Sequence, residues 1–131
     1  MKTLLKSVFL ILIALVIFSQ KIAAQGFENI ANAIKAGDAV TLAKYFEGNV
    51  EISLKDAQNS YSKSQAEVVL KNFFSTHSPK SFSIAHQGTS PEGSKYFIGN
   101  LATGSGTYRT YVYAKQVGGT FQIQEIRFED Q

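Results

Sequence analysis

The chain has 131 residues, with 13 Lys or Arg against 10 Asp or Glu, 44% hydrophobic residues and no cysteine. Lacking cysteine, it has no thiol nucleophile, disulfide framework or thiolate metal site, and its length suits one domain around one core. Lys2, Lys6 and Lys21 all fall within the first 24 residues, so the other 107 balance ten basic against ten acidic side chains and lack the positive footprint that nucleic-acid binding requires.

At the N-terminus, Lys2 and Lys6 precede an unbroken apolar run, Val8 to Phe18, that ends near the small residues Ala23 and Ala24. This three-part pattern predicts a secretory signal peptide over residues 1–24, cut after Ala24. The run of eleven is short of the ~20 residues a helix needs to cross a bilayer. The expected product is secreted or periplasmic, free of the membrane after cleavage, with a single domain over residues 25–131. In an oxidising compartment without disulfides, its core must hold by packing alone.

Phe27, Ile30, Ala31 and Ile34 recur at helical spacing, and Gly37 supplies a C-terminal stop. Asp38 then suits the N-cap of a short second helix with the stripe Ala39, Leu42, Ala43, Phe46, ended by Gly48. Val50 to Leu54 alternates as a half-buried strand, and Asp56 to Ser60 has turn chemistry. Ser64 and Glu67 form an expected capping box for a helix running to about His77, before Pro79.

From Ser81 the period becomes two. Four strands are predicted, Ser81 to Gln87, Lys95 to Ala102, Thr107 to Val117 and Thr120 to Phe128, with Gly118-Gly119 as a two-residue hairpin turn. Together these give an α+β domain, three N-terminal helices packed on one face of a curved antiparallel sheet.

This order of elements, with Gly37-Asp38 at the corner of a helical hairpin, resembles the cone-shaped nuclear transport factor 2-like superfamily, which includes ketosteroid isomerases and scytalone dehydratases. The segments His86 to Gly88, Tyr96 to Leu101, Gly106 to Lys115 and Ile123 to Glu129 are similar to a secreted bacterial family within it, domain-of-unknown-function family 4783. The resemblance implies a cone and a pocket, and no particular reaction.

A regular register from Gly118-Gly119 would place Tyr113 opposite Gln124 and Thr110 opposite Arg127. Alternation then puts Arg109, Tyr111 and Tyr113 on one face with Ile126 and Phe128, and sends Glu125 and Arg127 to the other, helix-covered face with Val112, Phe121 and Ile123. His86 shares strand parity with Phe82 and Ile84, so it too is expected inside. His86, Glu125 and Arg127 are thus the candidate ligand-binding residues, with a mutual Glu125–Arg127 ion pair at the rim as the plainer alternative. Tyr96, Arg109, Tyr111, Tyr113 and Phe128 form a candidate homodimer interface, since Tyr and Arg are favoured anchors. The bland reading of that wall is ordinary cross-strand stabilisation.

His77 lies on its helix's apolar stripe and suits a capping or half-buried role. His86 lies five residues along the next strand, roughly 17 Å at ~3.3 Å per residue, too far for the two to share a metal. Gly104-Ser105-Gly106 joins two strands and has no helix behind it to bind phosphate. There is no nucleophile elbow, and Glu125 is a poor general base beside Arg127. No catalytic residue, metal site or cofactor is assigned. The preferred reading is a secreted non-enzymatic binding module that holds a small apolar or amphipathic ligand or docks an envelope partner. The alternative is a small isomerase, dehydratase or hydrolase using the cone.

Overall fold

The computed structural model describes the backbone of residues 2–131 and the side chains of residues 2–13 and 27–131. Helix α1 spans Lys2–Ala36. Leu4, Phe9 and Leu12 on its first turns are exposed, whereas Phe27, Ile30, Ala33 and Ile34 are buried in the core. Side chains around the expected cleavage point at Ala24 lie outside the described residues. Among the described residues no helix is long and apolar enough to cross a membrane.

Gly37 takes a φ of 65°, as expected of a residue ending a helix in the left-handed region. Asp38 caps α2 (Ala39–Ala43), accepting from the Thr41 N–H at 3.1 Å. The helix stops before Gly48 because Phe46 already belongs to β1 (Phe46–Leu54), held by pairing with the last strand. Lys55 and Asp56 turn the chain into β2 (Ala57–Ser62), so the segment expected to be only a turn is partly a polar edge strand. That strand carries the chain to Ser62, which caps α3 (Lys63–Thr76) in a capping box with Gln65. The box therefore lies two residues before the expected Ser64–Glu67 pair, and Glu67 instead reaches Lys71 at 3.9 Å. His77 is the C-cap of α3 and stacks on Phe73.

Strands β3 (Pro79–Thr89), β4 (Ser94–Thr103), β5 (Gly106–Val117) and β6 (Thr120–Asp130) complete a six-stranded sheet of order β2-β1-β6-β5-β4-β3. All neighbours are antiparallel except β1 and β6, which run parallel. The sheet is therefore mixed, in place of the antiparallel sheet expected. Helices and sheet enclose a core in which Phe27 stacks on Phe121 at 4.5 Å and meets Phe97 edge-on. Phe73 stacks on Phe128 at 4.4 Å and meets Tyr108 edge-on at 5.6 Å. Each such pair adds ~0.5–1.5 kcal/mol beyond the area it buries.

The register opens as expected, with Val117 opposite Thr120, but shifts between Tyr113 and Ala114, which pair with Glu125 and Ile123. Gln124 is the extra residue of a β-bulge, and a bulge exchanges the faces of everything beyond it. Ile126 and Phe128 therefore join Thr110 and Val112 inside, all fully buried, while Glu125 and Arg127 turn outward. The expectation that these two line the covered face is overturned, as is the placement of Phe128 on an exposed interface. A second irregularity in β3 skips Ala85, so that Ile84 pairs with Gly99 but His86 pairs with Ile98. It turns His86 outward as well, against the expected inward parity.

Candidate functional site

The two bulges gather the polar candidates on the sheet's outer face, away from the helices. Pairing across the strands sets them in rows. Tyr96, Tyr113, Glu125 and Glu51 form one row, Ile98, Tyr111, Arg127 and Ser53 the next, and Asn100, Arg109 and Glu129 a third. Tyr96, Ile98, Tyr111 and Tyr113 are half-buried, and Arg109 and His86 are exposed. Direct neighbours on such a face have Cβ atoms ~4.5–5.5 Å apart, which makes this a continuous strip of aromatic and charged groups.

Local geometry fixes several of these side chains. The Tyr96 ring lies across Gly88, where a Cβ would come within 2.6 Å of the phenol oxygen. Its hydroxyl ends 3.4 Å from Nε2 of His86. The Nε of Arg127 donates to Oε1 of Glu125. That hydrogen bond, then the charge of Glu125, raises the guanidinium pKa above its ordinary value, with Glu129 and Tyr111 adding and burial opposing. Arg127 is accordingly cationic at any working pH. With 43% of the Arg127 side chain exposed, the pair contributes at most ~1 kcal/mol. Gln58 donates to Glu51 at 2.8 Å, and Gln131 donates to Asn100 at 3.1 Å.

All the sequence-predicted site residues except Phe128 therefore share one face, and the ligand and interface sets merge. Ser53, Glu51 and Glu129 belong to the face but escaped the sequence reading. A usable signal was present. The apolar residues Phe121, Ile123, Ile126 and Phe128 are spaced by two, three and two, and keeping all four inside requires one extra residue after Ile123.

Among the described residues the interior is built of apolar side chains. Ile30, Ile34, Leu70, Phe97, Leu101, Val112, Ile126 and Phe128 are all fully buried there. Thr110 Oγ1, also buried, has no hydrogen-bond partner. Two clefts lined by described residues open at the rim. One of about 500 Å³ lies between Gly48, Asn49 and the start of α3, and another of about 330 Å³ lies between Tyr45, Lys63 and Phe121. Among the described residues no three His, Cys, Asp or Glu side chains are grouped to hold a metal. The face presents phenols, a guanidinium and carboxylates side by side on paired strands.

A family model, domain of unknown function DUF4783, matches residues 27–129. A DUF4783 protein from Bacteroides uniformis is 31% identical, its crystal structure superposing with a TM-score of 0.74 over 79% of this chain and 95% of that one. One from Bacteroides ovatus is 28% identical, with a TM-score of 0.74 over 79% and 93%. An NTF-2 like protein of unknown function from Silicibacter pomeroyi shares the fold at 9% identity, with a TM-score of 0.58 over 82% and 92%. No curated protein matches.

Proposed function

The chain belongs to the DUF4783 family, and we propose that it is an exported, non-enzymatic binding module that works through the outer face of its sheet. The observation that carries this reading is the outward turn of His86, Glu125 and Arg127 beside Tyr96, Tyr111 and Tyr113. Aromatic and arginine side chains on rigid strands are the groups that supply most interface energy. Readings that need an open cone, whether a small apolar ligand or an isomerase, dehydratase or hydrolase, draw less support from a core that holds stacked phenylalanines. Export rests on the Lys2, Lys6 and Val8 to Phe18 pattern.

The test is a photo-crosslinking amino acid placed at Tyr113 in cells that export the protein, with Val68 as control, an exposed residue of α3. A covalent adduct from position 113 and none from 68 is the expected result. Adducts from neither position, together with saturable binding of an apolar fluorescent probe, would move the function to the interior.

A further inference from the structure

We propose that the cleft between α1 and α2 binds a saccharide, through hydrogen bonds to adjacent hydroxyls of a pyranose ring. The inference is independent of the outer-face reading, because this cleft lies among the helices, on the other side of the sheet.

The cleft has a volume of about 400 Å³, within the ~300–1,000 Å³ typical of small-molecule sites. Helix α1 lines it with Asn29, Asn32, Ala33 and Ala36, at the i, i+3, i+4, i+7 spacing of one helical face. The two alanines leave space that longer side chains would fill. Across from them stand Asp38, Thr41, Lys44 and Tyr45. Backbone bonds fix this corner. The Asp38 N–H donates to the Ala33 carbonyl at 2.8 Å, and the Ile123 N–H of β6 donates to the Tyr45 carbonyl at 2.8 Å. Binding therefore has little backbone left to order.

The chemistry of the lining selects the ligand. One carboxylate and one ammonium cancel, which suits a neutral molecule. The Asp38 carboxylate accepts from the Thr41 N–H at 3.1 Å and from the Thr41 hydroxyl at 2.5 Å. These bonds orient it and hold its pKa below the ordinary value of 3.8, and they use only two of the roughly four acceptor positions of a carboxylate. The others are open to hydroxyl donors. The side chains of Asn32 and Tyr45 make no hydrogen bond, and Lys44 no ion pair, with the described residues. A carboxamide carries a donor and an acceptor side by side, the complement of two adjacent hydroxyls. Tyr45, half-buried, adds apolar ring surface for the C–H groups of a sugar. A zwitterion such as a free amino acid would depend on surface ion pairs to Asp38 and Lys44, which contribute little, and would leave the carboxamides unused.

The test is an NMR titration of the isotope-labelled exported protein with methyl α-glucoside, methyl α-mannoside and methyl β-galactoside, which differ in the arrangement of their hydroxyls. At least one should give saturable shifts in the side-chain amides of Asn29 and Asn32 and in the Thr41 N–H, with a dissociation constant of about 1–10 mM. Asn32→Ala and Asp38→Asn should each raise that constant by on the order of tenfold. Asparagine keeps the helix cap, so circular dichroism should be unchanged. Asn32 is exposed, and its variant decides the matter if Asp38→Asn fails to fold. Absence of saturable shifts with all three glycosides, or an affinity that survives both substitutions, would overturn the proposal. Equal shifts from glycerol would reduce the effect to general solvation by polyols, and the same signals saturating with glycine would assign the cleft to amino acids; either outcome also overturns it.

Discussion

Replacing Thr110 with valine should make the protein more stable. The residue sits in the middle of the sheet between Gly99 and Phe128, fully buried, and its hydroxyl has no hydrogen-bond partner. Burying an unpaired hydroxyl costs ~1–3 kcal/mol. Valine keeps the β-branched shape suited to a strand, so the substitution removes that cost without opening a cavity. A gain of about 1–2 kcal/mol is expected, which for a domain near 100 residues corresponds to roughly 5–10 °C in Tm. Guanidinium denaturation measures it directly, and an unchanged slope would show that the unfolded state is unaffected. Thr110→Ser, which retains the hydroxyl and loses the methyl, should destabilise by ~1 kcal/mol. A loss of about 1 kcal/mol or more on Thr110→Val would mean that the hydroxyl is bonded in solution, and the account of a closed apolar interior would fail.

Phe128→Ala should cost ~3–5 kcal/mol, because the ring stacks on Phe73 inside the core; a loss under 1 kcal/mol in the same denaturation assay would restore the unbulged register. Asp38→Ala should cost ~1 kcal/mol through loss of the N-cap. Bonds from the Thr41 hydroxyl and N–H hold the Asp38 carboxyl below its ordinary value of 3.8. Its contribution is therefore complete above that value and lost as pH falls through the lower, folded value, so Asp38→Ala should flatten the acid limb of a stability–pH curve. Edman sequencing of exported material should begin at Gln25, and an intact Met1 chain embedded in membrane would refute the leader.

Much of the fold was legible because local chemistry and tertiary context agree. Gly37 and Asp38 make the corner they were read to make, and Gly118-Gly119 closes the hairpin between Val117 and Thr120. The reading failed where a single inserted residue breaks alternation. Gln124 and Ala85 have no side chain that announces a bulge, and a strict period of two carried Glu125, Arg127 and His86 to the wrong face. The parallel pairing of β1 with β6 was hidden for a different reason. It joins residues some 75 positions apart, such as Phe46 and Ile123, and nothing local to either strand encodes the partner. Ser62 outcompeted Ser64 as a cap because an unforeseen strand delivered it in extended geometry.

The central position of β6 bears on when this protein can fold. The last strand in the sequence lies between β1 and β5 and joins the two halves of the sheet. Until residues 120–130 are in place, β1 and β2 have no hydrogen-bonded link to β5, β4 and β3, and Phe121, Ile123, Ile126 and Phe128 are missing from the core. Pairings so distant along the chain form late, because loop closure must precede them. β6 is thus the keystone of the sheet, and a chain with this topology closes only once that strand has arrived between β1 and β5.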